Sequence, residues 1–285
     1  MNSNETKADT QQVDQDLLET FKAYLITQKQ VSPRTAKDYG YAVGKFLRIM
    51  GSSSPTNTQA IQYYRDLQNQ GYANSTVANT VFALNHYFSF LGKKIHLKPP
   101  RRHKRQPDYL TVEEAQALVK VVSSLRDRAI VMTLLYTGMR VSELCNLNVS
   151  DLRLDNGEII VRDTKNYQDR RVIVSEKCVA SLSEYLESMC VTDGEAVFVS
   201  RKGGRISRGR VYAMIKKYGQ LAGIRKKVTP HVLRHTLATN MIAHGASVIE
   251  VKQQLGHKSM ESTLRYVHLQ VAHRKELYLQ HCPQF

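Results

Sequence analysis

Between residues 97 and 108 the chain reads Leu-Lys-Pro-Pro-Arg-Arg-His-Lys-Arg-Gln-Pro-Asp. Three prolines interrupt it, and no apolar residue recurs at helix or strand spacing, so no regular element runs through it. This basic linker divides the 285 residues into a shorter front part and a longer back part, each long enough to enclose its own core. The hydrophobic fraction, 42%, is sufficient for two such cores.

The two parts differ in pattern. Residues 1–14 are polar and acidic and are expected to form a disordered leader. Over 15–96 apolar residues recur at steps of three and four: Leu17, Leu18, Phe21, Tyr24 and Leu25, then Tyr39, Val43, Phe46 and Leu47, then Ile61, Tyr64 and Leu67, then Val77, Val81, Leu84, Tyr87, Phe88 and Leu91. Ser32-Pro33 is a cap followed by a first-turn proline, and Gly51 and Gly71 are stops. Four amphipathic helices in a small all-helical domain follow. The back part, 109–285, opens with the capping box Thr111-Val-Glu-Glu114 and a helical pattern that continues to Tyr136. Short β-patterns at 158–163 and 170–174 flank a polar turn, and helical patterns resume at 175–189, 207–222, 230–244, 247–255 and 260–266. The fold class is therefore mostly α with a small antiparallel sheet, in two domains: all-helical, then mixed α/β.

Charge narrows the partner. The net charge is +16, and it is local: residues 201–227 carry ten Lys or Arg and no acid, whereas residues 1–20 carry five acids and one Lys. Lys98, Arg101, Arg102, Lys104 and Arg105 in the linker, with Arg201, Lys202, Arg205, Arg208 and Arg210, are the candidate phosphate contacts of a nucleic-acid surface. A solvated linker would look the same on that segment alone. The four cysteines have neither metal spacing nor a disulfide framework, as expected of free thiols in a reducing cytoplasm. The N-terminus is no signal peptide, and the most apolar run, 129–136, is too short to span a bilayer, so no membrane partner is expected.

Three short words carry candidate chemistry. In Thr229-Pro230-His231-Val232-Leu233-Arg234 a capped helix start places His231 in the first turn and Arg234 one turn on, where a helix N-terminus already favours anions. In Thr137-Gly138-Met139-Arg140-Val141-Ser142-Glu143-Leu144, Gly138 permits a tight turn and Glu143 lies one turn from Arg140, placed to orient it. In the third, Gly256 ends a helix, His257 follows, and Tyr266 lies nine residues later. Each word alone is equally an ordinary helix end, a surface pair or a packed aromatic.

Taken in order, Arg140, His231-x-x-Arg234, His257 and Tyr266 resemble the tyrosine recombinase (integrase) family, as do the surrounding words Thr-Gly-Met-Arg-Val-Ser-Glu-Leu, His-Val-Leu-Arg-His-Thr-Leu-Ala-Thr and Leu-Gly-His-Lys-Ser-Met-Glu-Ser-Thr-Leu-Arg-Tyr. The resemblance covers most of the chain. It implies a helical core-binding domain followed by a catalytic domain of the DNA breaking-rejoining type. It implies Tyr266 as nucleophile, Arg140, Arg234, His231 and His257 around the scissile phosphate, and Glu143 supporting Arg140. It also implies a catalytic lysine in a hairpin turn. Lys165 is the lysine available there, although Asp163-Thr164-Lys165-Asn166-Tyr167 lacks the family's usual glycines. The expected reaction is strand exchange through a 3′-phosphotyrosyl link and a Holliday junction, without metal or nucleotide cofactor. The expected partners are a double-stranded DNA recombination site and three further copies in a synaptic homotetramer, with a monomer or dimer off DNA. The absence of glycines from the hairpin turn and the acidic leader lean the expectation toward a transposon-borne resolvase or integrase in a bacterial cytoplasm. A Xer-type dimer resolvase, a type IB topoisomerase and a non-catalytic DNA-binding protein are the alternatives.

Overall fold

The computed structural model describes residues 3–101, 107–162, 169–189, 195–257, 259–264 and 266, with backbone alone for 3–14. The chain forms two compact units, residues 1–105 and 106–285. Among the described residues no helix is long and apolar enough to cross a membrane.

The first unit is built on four helices: α1 Ser3–Thr27, α2 Pro33–Met50, α3 Asn57–Asn69 and α4 Asn74–Phe90. Backbone helix begins at Ser3, within the stretch expected as a leader. No Pro or Gly lies between Ser3 and Thr27, so a helix anchored by Phe21 and Leu25 meets no stop signal toward its N-terminus. Ser32 caps α2 by accepting from Thr35 N, and Gly51 closes it in the left-handed region at φ 63°. Thr56 and Gln59 form a reciprocal capping box on α3. α4 is the central helix, with Val77, Ala78, Val81, Ala83, Leu84, Tyr87 and Phe88 all buried. Tyr87 meets Phe21 edge to face, centroids 5.2 Å apart, and its hydroxyl donates to the Ser53 carbonyl at 2.5 Å.

Asn85, on the same helix, closes the unit. Its amide Nδ2 donates to the Leu97 carbonyl and its Oδ1 accepts from the Leu97 N–H, each at 2.9 Å. One side chain thus replaces a strand partner for the backbone entering the linker. Asn85→Ala is expected to strand both Leu97 groups and to lower stability by about 1–3 kcal/mol, measurable as a shifted denaturant midpoint with unchanged m-value.

The second unit holds α5 Val112–Lys120, α6 Leu125–Thr137, α7 Val141–Asn146, α8 Glu176–Glu187, α9 Arg208–Leu221, α10 Pro230–Ala243, α11 Val248–Leu255 and α12 Glu261–Leu264. The helical pattern expected to be continuous to Tyr136 is divided in two, because Ser124 turns the chain and caps α6 by accepting from Asp127 N. Residues 129–134 of α6 are buried on every face, so α6 is the spine on which α8 and α10 pack.

The sheet is β1–β2–β3, with β1 Leu152–Arg153, β2 Glu158–Val161 and β3 Arg170–Ile173, all antiparallel. Glu158 pairs with Ile173 and Val161 with Arg170. Two-residue β1 has no period to read and was not expected. Val161 and Val172 face the core, and the turn between β2 and β3, with Lys165, lies outside the described residues. A smaller cluster of Ala238, Ile242, Val251, Leu255 and Tyr266 joins α10 and α11 to the segment after α12. Cys145 and Cys178 are free buried thiols, and burial pushes Cys178 up to about 12, so it is inert as a nucleophile at neutral pH.

Candidate active site

The site begins where α6 stops. Gly138 takes φ 60° and returns its N–H to the Leu134 carbonyl at 3.1 Å. A Cβ there would lie 2.4 Å from Leu255 Cδ2 and 2.9 Å from Leu237 Cδ2, so only glycine lets α10 and α11 approach this turn. Arg140 is then the N-cap of α7. Its backbone N–H donates to Glu143 Oε2 at 2.7 Å, and its guanidinium donates to Glu143 Oε1 at 2.7 Å and to the Gly256 carbonyl at 3.3 Å.

Glu143 has a second cationic partner that sequence reasoning missed. Arg170, the first residue of β3, grips the same carboxylate with both terminal nitrogens, at 3.1 Å to Oε1 and 2.7 Å to Oε2. Burial pushes the Glu143 carboxyl up, but the hydrogen bonds and charge of Arg170, then the bonds from Arg140, hold it below the usual carboxylate range. Ionised Glu143 therefore contributes folding stability that is present above the ordinary carboxyl range and is lost as pH falls through the lowered value.

α10 supplies the next pair. Thr229 caps it by accepting from Val232 N, and Pro230 sits in the first turn, as the sequence predicts. Arg234, one turn after His231, is only 5% exposed and donates to the Gly138 carbonyl at 2.5 Å. Burial, then the charges of Arg140 and Arg170, lower its guanidinium from 12.5 to about 10, against the pull of Glu143 and Tyr266. His231 remains solvent-accessible, and partial desolvation, then Arg234 and Arg140, lower its pKa. A neutral imidazole able to accept a proton results.

α11 ends in Gly256 at φ 66°, and His257 follows with Nδ1 2.7 Å from Thr263 Oγ1. A Cβ on Gly256 would lie 2.5 Å from Arg170 Nε and 2.7 Å from its Cζ. The guanidinium is pinned by Glu143 and has little room to yield. Gly256→Ala is therefore expected to cost about 1–2 kcal/mol for the left-handed backbone, and roughly a hundredfold in DNA cleavage from displaced partners. Thermal melts and a single-turnover cleavage assay check the two parts.

Tyr266 is 1% exposed, packed among Ala238, Ile242, Val251 and Leu255. Its hydroxyl hydrogen-bonds His235 Nδ1. His235 is the second residue missed in the sequence. The available signal is its spacing, one helical turn from His231 and adjacent to Arg234.

The structure thus brings Arg140, Glu143, Arg234 and the Gly256–His257 turn together, with His231 in electrostatic reach and Tyr266 held beside them through His235. Lys165, Arg102, Lys104 and Arg105 lie outside the described residues. Lys98 and Arg101 are exposed on the first unit. The basic run 201–227 is not one uniform face. Arg205 caps the end of α7, donating to the carbonyls of Cys145 and Leu147 at 3.3 and 2.9 Å and to Asn148 Oδ1. Arg201 and Arg210 line a cleft of about 720 Å³ with Arg126 and Lys217, whereas Lys202 and Arg208 are exposed elsewhere.

Comparison with known proteins gives the family. Residues 108–273 match the phage integrase family, and residues 18–94 match the phage integrase N-terminal SAM-like domain. The chain is 35% identical over 269 residues to tyrosine recombinase XerA of Thermococcus kodakarensis, covering 92% of this chain and 93% of that protein. It is 28% identical over 292 residues to tyrosine recombinase XerD of Halalkalibacterium halodurans, covering 94% and 97%. Among solved structures it is similar to XerA recombinase, with TM-score 0.56, 35% identity and coverage of 95% and 100%. The fold is also that of the Tn1549 transposon integrase in complex with transposon right end DNA, with TM-score 0.72, 19% identity and coverage of 93% and 99%. With both of its units matched and a relative above 30% identity along nearly its whole length, the chain belongs to the phage integrase family, as a tyrosine recombinase.

Proposed function

We propose that this recombinase cuts and rejoins double-stranded DNA at a specific site through a 3′-phosphotyrosyl link to Tyr266, with Arg140 and Arg234 as the principal charges on the scissile phosphate. The observation that carries the reading is the approach of two fixed arginines: Glu143 holds Arg140, and buried Arg234 donates to the Gly138 carbonyl, two residues before Arg140, close enough for the Arg140 charge to lower its pKa. Two guanidiniums are held close together, one of them with its hold on its proton weakened, which is the state a bound phosphodiester anion relieves.

The reaction divides among residues as follows. Arg140 and Arg234 bind the nonbridging oxygens, and His257 adds a hydrogen bond. Tyr266 Oη attacks phosphorus while the P–O5′ bond breaks. The phenolic proton passes to a neutral imidazole, for which His231 is suited by its lowered pKa. Lys165 delivers a proton to the departing 5′ oxygen. The phosphoester bond is conserved in the tyrosyl link, so a second 5′-hydroxyl reverses the step and no nucleoside triphosphate is consumed. In the state described here Tyr266 is buried against His235, so cleavage begins with release of that hydroxyl.

DNA as partner is supported by the basic surface, by the exposed Lys98, Arg101, Lys202 and Arg208, and by the relatives solved on DNA. We place the enzyme in a prokaryotic cytoplasm as a homotetramer when synapsed. The full-length match to Xer recombinases favours resolution of chromosome or plasmid dimers. A mobile-element role rests on likeness of fold alone.

A nicked suicide substrate tests the reading. Trapping of a covalent protein–DNA adduct at Tyr266, with a free 5′-hydroxyl, is expected. Relaxation of supercoils without any recombinant product from paired sites would move the chain to a topoisomerase. Absence of any adduct would reduce it to a DNA-binding protein.

A further inference from the structure

We infer that Arg170 is a positioning residue of the active site, locking Glu143 so that one carboxylate orients Arg140, and wedging the Gly256–His257 turn against the end of β3. The inference rests on the proposed function above.

Arg170 is committed to Glu143. Both terminal nitrogens are on Glu143, its side chain is 17% exposed, and Nε is buried without a hydrogen-bond partner among the described residues. An orphaned buried N–H is costly. The Cα of Gly256 packs closely on this guanidinium, so that a Cβ there would lie 2.5 Å from Nε.

The other contacts run in the same direction. The Gly256 carbonyl accepts from Arg140, so the residue that presses on Arg170 also ties down the arginine that Glu143 holds. Three residues along β3, the Ile173 carbonyl accepts from Gln254 Nε2 at 2.8 Å, and the Ile173 N–H donates to Gln254 Oε1 at 3.2 Å. β3 is thereby fastened to the last turn of α11 at both of its ends, and His257 leaves that turn. A surface ion pair would do none of this. A carboxylate that accepts from two forks and a backbone N–H has one geometry, and Arg140 inherits it.

Glu143 is faced by Arg140 from α7, by Arg170 from β3 and, at longer range, by Arg234 from α10. All three favour the ionised form, and burial opposes them. Removing Arg170 removes the largest of the favourable influences, so protonation of Glu143 moves to higher pH and releases Arg140 there.

The experiment is single-turnover cleavage of the suicide substrate across pH 5–8, with DNA affinity measured alongside, for wild type, Arg170→Gln, Glu143→Gln and the double variant. Arg170→Gln is expected to cleave roughly a hundredfold more slowly, with affinity within about threefold of wild type, and with an acid limb displaced to higher pH. The double variant is expected to be no slower than the slower single variant, because both changes cut one chain of contacts. It also leaves no carboxylate stripped of its Arg170 partner, so its rate relative to Glu143→Gln carries the test if Arg170→Gln melts below the assay temperature. Losses that multiply, an acid limb that stays in place, or a defect confined to affinity would each overturn the inference. A wild-type protein forming no Tyr266 adduct would instead overturn the recombinase reading, and this one with it.

Discussion

Tyr266→Phe eliminates the covalent protein–DNA adduct, with a loss of at least about a thousandfold in cleavage, and leaves the fold and DNA affinity in place. The structure explains why this substitution isolates chemistry from stability. The ring is a core element, 1% exposed among Ala238, Ile242, Val251 and Leu255, and phenylalanine fills the same volume. What disappears is one oxygen and its bond to His235. A single hydrogen bond is worth about 1 kcal/mol net, so the melting temperature moves little. Gel-resolved adduct on the suicide substrate and a melt of the same preparation are the two measurements. A phenylalanine variant that still forms adduct would remove Tyr266 from the role of nucleophile.

Arg234→Lys has the second largest expected effect, and its pH dependence is its signature. Arg234 keeps its charge in a site that lowers its pKa from 12.5 to about 10. The sign follows from linkage. Between those two values the unfolded chain binds more protons, so stability rises with pH there. At neutral pH the charge is carried in both states and burial costs on the order of 3 kcal/mol. A lysine starts about two units lower and is more sensitive to desolvation, so the same environment brings its ammonium down closer to neutrality. A point charge also lacks the fork that reaches the Gly138 carbonyl and a phosphate together. Cleavage is expected to fall by roughly a hundredfold or more at pH 7, and the residual rate to decline further as pH climbs from 7 to 9. A residual rate flat over that range would show that the site does not desolvate the cation as described.

Much of the local structure was legible from the chain because its signals are local. Ser32, Thr111 and Thr229 each cap the helix their neighbours begin, and Gly51, Gly138 and Gly256 each close one in the left-handed region. The division into a helical unit and a mixed unit followed from one stretch with prolines and no period. The failures have equally plain causes. The break between α5 and α6 was hidden because the apolar pattern continues through Val121 and Val122 while Ser124 restarts the helix. β1 is too short to carry a pattern. Arg205 reads as one more cation in a basic run, and only the position of the α7 carbonyls diverts it to capping.

Caps, glycine stops and short words depend on neighbours a few positions away, so most of the helices, the order of the two units and Arg140, Glu143, His231, Arg234, His257 and Tyr266 as residues of interest are legible in the chain alone. Only the tertiary structure decided how those residues are held. The Arg170 grip on Glu143 joins positions 27 apart, the Arg140 bond to Gly256 joins positions 116 apart, and the Tyr266 bond to His235 joins positions 31 apart. No periodicity records such pairs. They exist because β3, α10 and the end of α11 pack around one buried carboxylate, and an ion removed from water must find its partners wherever the fold brings them.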